Sequence, residues 1–121
     1  MFTSINTVAV YVSDMERAKK YYTEILGFKL KHDFGNLCFL VSDSERITVY
    51  LEAGYEPSPA DYKSTHLSFF LTTAKSTKET FDELKSKGVQ ILDAEPEEVG
   101  DGVYVFRFCD PDGNVLEATG H

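Results

Sequence analysis

The 121-residue chain contains two copies of one sequence unit. The first copy has an alternating, β-branched run at residues 5–12 and a helical pattern that stops at Gly27. The second copy has a similar run at residues 66–72 and a helical pattern that stops at Gly88. Each copy then closes on a strand that carries the pair Leu-Glu. A duplicated unit produces a pseudo-symmetric fold, so equivalent positions of the two halves are able to converge on one site.

The pattern of each copy predicts a strand, then a helix, then three further strands. The helices are predicted at residues 14–26 and 76–87, because each range begins at a capping-box sequence and ends before a glycine. We therefore predict an α+β fold of two βαβββ modules that form a curved, half-open mixed β-sheet, with both helices outside. Alternation and turn residues place the strands at 5–12, 28–33, 36–42, 45–53, 66–72, 89–93, 102–109 and 115–119.

The two modules are predicted to form a single domain that spans residues 1–121. Module 1 covers about residues 4–54 and module 2 about residues 65–120. Residues 54–65 contain two prolines and no periodicity, which is typical of a linker.

The composition limits the partners of this chain. Its net charge of -8 argues against nucleic acid and anionic membranes, because both repel an acidic surface. No apolar run has the length of a membrane span, and the N-terminus lacks the pattern of a signal peptide. Cys38 and Cys109 lie in apolar segments without metal-ligand spacing, so we interpret them as reduced core thiols of a cytoplasmic protein.

The strands that open and close each half are predicted to have one apolar face, which packs under the helices. Their opposite face mixes polar and aromatic side chains, and it suits a small-molecule site if the two sheets curve around a shared cavity. A solvent-facing sheet is the alternative, but it would expose several aromatic side chains together, which is uncommon. The predicted pocket residues on the mixed face are Thr7, Tyr11, Tyr50, Ser68 and Phe70.

The sequence has distinctive segments at residues 8–14, 18–22, 26–28 and 108–117. These segments resemble the vicinal oxygen chelate superfamily, which includes glyoxalase I, bleomycin-resistance proteins, fosfomycin-resistance transferases, methylmalonyl-CoA epimerase and extradiol dioxygenases. The resemblance covers nearly the whole chain and implies the glyoxalase/bleomycin resistance/dioxygenase fold. It does not define the reaction, because one scaffold supports several chemistries in this superfamily.

The resemblance implies metal ligands on the first and last strands of each module. The corresponding positions are Thr7, Glu52, His66 and Glu117. Members usually have histidine at the first position, and a threonine hydroxyl is a weaker ligand than imidazole. The implied site therefore holds Zn, Ni, Mn or Mg through Glu52, His66 and Glu117, weakened by Thr7. Two alternatives stay open: Glu117 is a hydrogen-bonded acid in a metal-free cleft, and Glu52 is an ordinary surface carboxylate.

Three further features limit the reactions and the ligand contacts that are expected of this chain. We interpret Arg107 and His32 as surface residues, although an arginine at this position also suits a clamp for a substrate anion. His66 is then the single inward histidine, and a facial triad needs two, so extradiol dioxygenase chemistry is disfavoured. The acidic run at residues 95–98 is interpreted as a solvated loop.

Two functions of different classes follow. The first is a metal-dependent lyase or isomerase of the glyoxalase I type, which stabilises an enediolate of a small α-oxygenated carbonyl substrate while Glu117 or Glu52 moves the proton. The second is a metal-free protein of the bleomycin-resistance type, which sequesters an aromatic or cationic drug or toxin. The retained acids and His66 place the enzyme slightly ahead, whereas Thr7 and the net charge favour the binding protein. In either case we predict a homodimer, because open sheet edges and a cleft offer surfaces for a second chain.

Overall fold

A computed structural model describes residues 1, 3, 5–43, 46–57 and 68–121 of the chain. The chain divides into two compact units, Met1–Pro57 and Ser58–His121. The predicted ligand His66 and most of the predicted linker lie outside the described residues. Within the described ranges, no helix has the length and apolar character that crossing a bilayer requires.

The first unit has a mixed sheet covered by a short helix. The sheet order is β1-β4-β3-β2, with β1 parallel to β4 and the other neighbours antiparallel. Helix α1 packs on β4. The elements are β1 (Thr7–Val12), α1 (Met15–Lys20), a π-helical turn (Tyr21–Ile25), β2 (Lys29–Asp33), β3 (Leu37–Val41) and β4 (Thr48–Ala53).

The first helix differs from its prediction at its start and in its last turn. Asp14, the first residue of the predicted helix, is instead the N-cap, and its carboxylate accepts a hydrogen bond from the backbone N–H of Arg17. The predicted α-helix becomes a π-helical turn at Tyr21, whose carbonyl accepts from Leu26 five residues on. Gly27 then ends the helix as predicted, with a positive φ of 85° that glycine adopts without steric cost.

The second unit repeats the arrangement and adds a strand. Its sheet order is β5-β9-β8-β6, with β5 parallel to β9, and β7 also pairs with β8. Ser76 caps α2 as predicted by accepting from the backbone N–H of Glu79. The elements are β5 (Phe69–Thr72), α2 (Thr77–Ser86), β6 (Gln90–Ile91), β7 (Glu97–Gly100), β8 (Val103–Cys109) and β9 (Val115–Gly120).

Each unit buries the apolar sheet face that packs on its helix. In the first unit Val49 and Leu51 are buried on β4, and in the second unit Phe81 of α2 packs edge-on against Phe106 of β8 at 5.2 Å. The strand predicted at 45–53 is shorter at its start, so Ile47 lies before β4 and remains 40% exposed.

The predicted βαβββ order, the mixed sheets and the α+β class are confirmed. One prediction about a loop is wrong, because residues 97–100 form β7, which pairs antiparallel with β8. The side chains of β7 are all exposed, so hydrogen bonds to β8 rather than burial define this strand. Cys38 and Cys109 are both buried free thiols, as the sequence predicted.

Candidate functional site

Four predicted site residues lie on one face of the sheet in the first unit. Tyr11 and Glu52 are register neighbours on the parallel strands β1 and β4, so their side chains share a face. Tyr50 lies two residues before Glu52 and projects from the same face. Thr7 shares this face but pairs with Thr48 at the opposite end of the strands.

Thr7 and Glu52 are therefore separated along the sheet. Tyr11, the position opposite Glu52, lies four residues along β1 from Thr7, which corresponds to roughly 13 Å. The hydroxyl of Thr7 donates to the side-chain oxygen of Asn6 at 2.6 Å. The structure does not bring Thr7 and Glu52 together, and strand register rather than strand order is the reason.

The carboxylate of Glu52 is held by two tyrosines. The hydroxyl of Tyr50 donates to Oε1 at 2.5 Å, and the hydroxyl of Tyr55 donates to Oε2 at 2.5 Å. The hydrogen bond from Tyr50, followed by the smaller contribution of the bond from Tyr55, holds the pKa of Glu52 below its ordinary value. The same bond raises the pKa of Tyr50 to about 12. Glu52 is thus a stable anion and a weak proton acceptor, which suits charge recognition better than general base catalysis.

Aromatic rings continue from this carboxylate across the sheet. Tyr55 lies against Tyr11 with ring centroids 4.6 Å apart, and Tyr50 lies against Phe39 at 5.1 Å. Phe34 contacts Phe39 edge-on at 6.2 Å, and His32 stacks on Phe34 at 6.1 Å. We call this surface the aromatic face, comprising Tyr11, His32, Phe34, Phe39, Tyr50 and Tyr55 around Glu52.

The aromatic face is accessible in the first unit. Tyr11, Phe34 and Tyr55 are each between 43% and 64% exposed. Grouped exposed rings on a soluble protein usually mark a binding surface. Sequence reasoning identified Tyr11 and Tyr50 but missed Tyr55, which it had assigned to the linker. The proximity of Tyr55 to Glu52 along the chain was the available signal.

Glu117 lies in the second unit, next to a positive charge that the sequence did not assign to it. Glu117 on β9 pairs in register with Arg107 on β8, and Arg107 Nε lies 3.6 Å from its Oε1. Asp93 accepts from Arg107 Nη1 at 3.0 and 3.2 Å, and from the backbone N–H of Arg107 at 2.7 Å. Arg107 is therefore a partly buried member of an ion-pair network, and its interpretation as a surface arginine is wrong.

The predicted pocket residues of the second unit, Ser68 and Phe70, lie along the strand pair β5–β9. Phe70 on β5 is the register partner of Glu117 and is 54% exposed. The hydroxyl of Ser68 donates to the backbone carbonyl of Val115 at 3.1 Å, so it supports the strand pair. An aromatic ring and a charged side chain thus lie side by side on β5 and β9.

Within each unit, the described candidate ligands fit a divalent ion poorly. Both oxygens of Glu52 already accept phenol hydrogen bonds, Thr7 lies roughly 13 Å along the sheet, and Glu117 faces a guanidinium. Among the described residues, no group of three or more histidine, cysteine, aspartate or glutamate side chains is placed to hold a metal. His66 is outside that set, so its predicted role as a ligand stays a prediction.

The two units are built alike: each is a mixed sheet of βαβββ order, and each carries on its last strand a glutamate beside an aromatic side chain. Residues 4–118 match the model of the Glyoxalase/Bleomycin resistance protein/Dioxygenase superfamily. The chain belongs to this superfamily, which confirms the resemblance to the vicinal oxygen chelate proteins.

Comparison with individual proteins supports the same assignment. The chain is 30% identical to YetH of Bacillus subtilis (strain 168), over 96% of this chain and 97% of that protein. It is 26% identical to the metallothiol transferase FosB of Staphylococcus saprophyticus, over 97% of this chain and 76% of that protein. A superfamily member from Sphaerobacter thermophilus superposes with a TM-score of 0.78 at 23% identity, covering 99% of this chain and 98% of that one.

Proposed function

We propose that this protein binds and sequesters a small aromatic cation on the aromatic face, without a metal ion. The observation that carries the proposal is the carboxylate of Glu52, which two tyrosine hydroxyls hold in its charged form among exposed rings. Such a surface offers one fixed negative charge and several π faces. This combination is suited to a planar ring system that carries an amine.

The physical basis of recognition is electrostatic as well as apolar. A cation within about 6 Å of a tyrosine ring is attracted by the negative face of the ring. The net charge of -8 raises the local concentration of cations around the whole molecule. Glu52 stays ionised below the ordinary carboxyl pKa, so recognition is expected to persist into mildly acidic solution.

A dye-binding experiment tests this proposal. Quenching of intrinsic tyrosine fluorescence by the cationic dye acridine orange is measured for the wild type, Glu52→Gln and Glu24→Gln. Glu24 is exposed in the π-helical turn, so its substitution changes the net charge equally. We expect Glu52→Gln to weaken binding by about tenfold through loss of the charged partner, and Glu24→Gln to have little effect. Equal binding by all three proteins would reject the aromatic face as the site.

A metal-dependent enzyme is the second candidate, with Glu117 or Glu52 as its catalytic acid–base residue. The similarity to FosB, whose name describes a metallothiol transferase, favours it. Calorimetry with Zn, Ni and Mn distinguishes the candidates: the enzyme requires native binding that His66→Ala abolishes and Thr7→His tightens. Negligible binding by all three proteins would leave the metal-free candidate.

Assembly and location complete the proposal. We infer a single-domain protein that forms a homodimer in the cytoplasm, where buried free thiols such as Cys38 and Cys109 remain reduced. Light scattering at micromolar concentration tests the dimer, and a monomeric mass would contradict it.

A further inference from the structure

Arg107 is the most firmly held charged side chain of the second unit's candidate site. Asp93 fixes it through two contacts to Nη1 and one to the backbone N–H of the same residue. The opposite edge of the guanidinium, at Nε, lies 3.6 Å from Glu117 Oε1. The side chains of Asp93, Arg107 and Glu117 are 22%, 27% and 15% exposed, so solvent screens this network only in part.

We propose that Arg107 is the counter-ion of Glu117 and thereby prevents divalent metal ions from binding to this carboxylate. The inference rests on the metal-free binding proposed above, and it assigns that property to one residue. Glu117 occupies the position at which the superfamily resemblance implies a metal ligand. In this chain the positive charge beside that carboxylate comes from the protein itself.

The geometry explains why the arginine excludes a metal. A divalent ion bound to either oxygen of Glu117 would lie about 2.0–2.2 Å from that oxygen. Because Nε lies 3.6 Å from Oε1, an ion bound to Oε1 would lie at most about 6 Å from Nε. Repulsion between a double and a single positive charge at that distance opposes binding strongly in a partly buried site.

The guanidinium has no easy way to remove this repulsion. Arginine does not lose its proton in the accessible pH range. Its rotation away from Glu117 would break the contacts that Asp93 makes with Nη1. A lysine would be more adaptable in this position, because its ammonium is a single point charge on a flexible stem.

Calorimetric titration with Ni²⁺ and Zn²⁺, on protein without a histidine tag, tests the proposal. The variants are Arg107→Gln, Glu117→Gln, the two substitutions combined, and Arg46→Gln. Arg46 is exposed in the first unit, and its substitution makes the same change in net charge. We expect Arg107→Gln to gain affinity by about tenfold or more over the wild type, Glu117→Gln to reverse the gain, and Arg46→Gln to have little effect.

A second variant protects the test against loss of folding. Arg107→Gln leaves Asp93 without its guanidinium partner, so Asp93→Asn combined with Arg107→Gln removes the pair together and leaves Glu117 unchanged. This double variant is expected to show the same gain in metal affinity. Two outcomes would overturn the inference: no gain in either Arg107 variant over Arg46→Gln, or wild-type binding that already depends on Glu117. Neither outcome changes the expected binding of acridine orange at Glu52, so the metal-exclusion proposal and the proposed function can be refuted independently.

Discussion

The pair Asp93–Arg107 is expected to contribute measurably to the stability of the second unit. Asp93→Asn removes a carboxylate that accepts three hydrogen bonds, two of them from a charged donor. Breaking a fully buried pair typically costs about 3–5 kcal/mol, whereas an exposed pair contributes about 0–1 kcal/mol. Since both side chains are about a quarter exposed, we expect Asp93→Asn to lower the free energy of unfolding by about 2 kcal/mol.

A double-mutant cycle measures the interaction itself. Urea unfolding followed by circular dichroism is compared for the wild type, Asp93→Asn, Arg107→Gln and the double variant, with Lys78→Gln and Asp82→Asn as a control cycle. Lys78 and Asp82 form an ion pair at 3.0 Å, but they are 64% and 59% exposed. We expect a coupling energy of about 1.5–2 kcal/mol for the first pair and about 0.3–0.5 kcal/mol for the control.

The thermal stability gives an independent check of the same magnitude. A loss of about 2 kcal/mol corresponds to a fall in Tm of roughly 8 °C in a domain of this size. If the Asp93–Arg107 coupling were no larger than that of Lys78–Asp82, the network around Glu117 would be an ordinary surface arrangement. The argument that Arg107 is rigidly held would then be refuted.

Three further predictions concern individual groups. In an alkaline titration followed at 295 nm, Glu52→Gln is expected to lower the pKa of Tyr50 from about 12 towards the ordinary tyrosine value, because the charged acceptor is lost. In the wild type this hydrogen bond stabilises the fold below pH 10, and the stabilisation is lost as the pH rises through 12. Gly27→Ala should lower the free energy of unfolding by about 1–2 kcal/mol in urea titrations, because a φ of 85° is strained for alanine. No atom lies within 4 Å of the added Cβ, so this loss measures backbone strain without a steric clash. Burial raises the pKa of Cys38 and Cys109 to about 11, so Ellman's reagent at pH 8 should label neither thiol in the native protein and both in guanidinium chloride.

Much of the fold was predictable because its signals are local. Gly27 and Gly88 both adopt positive φ where the sequence predicted helix ends. Ser76 caps α2 through a contact three residues away, which sequence spacing alone identifies. The same reasoning missed β7, whose exposed acidic residues have no alternating apolar pattern and depend on pairing with β8.

The candidate site was predicted only in part. The alternation of β1 and β4 correctly indicates that Tyr11, Tyr50 and Glu52 share one face. It carries no information about Tyr55, which follows the strand and turns back onto the ring of Tyr11. Likewise, the sequence shows that Arg107 lies on a strand but not which carboxylate lies opposite it.

The sequence by itself determined the duplicated strand and helix order, the helix caps and the chemical character of each sheet face. These properties depend on backbone preferences and on side-chain periodicity within a few residues. Tertiary structure decided the strand register, which places Thr7 opposite Thr48 rather than near Glu52 and places Arg107 opposite Glu117. Register is selected by hydrogen bonds and packing between distant segments, and a change of one residue would reverse every face, so local patterns do not specify it.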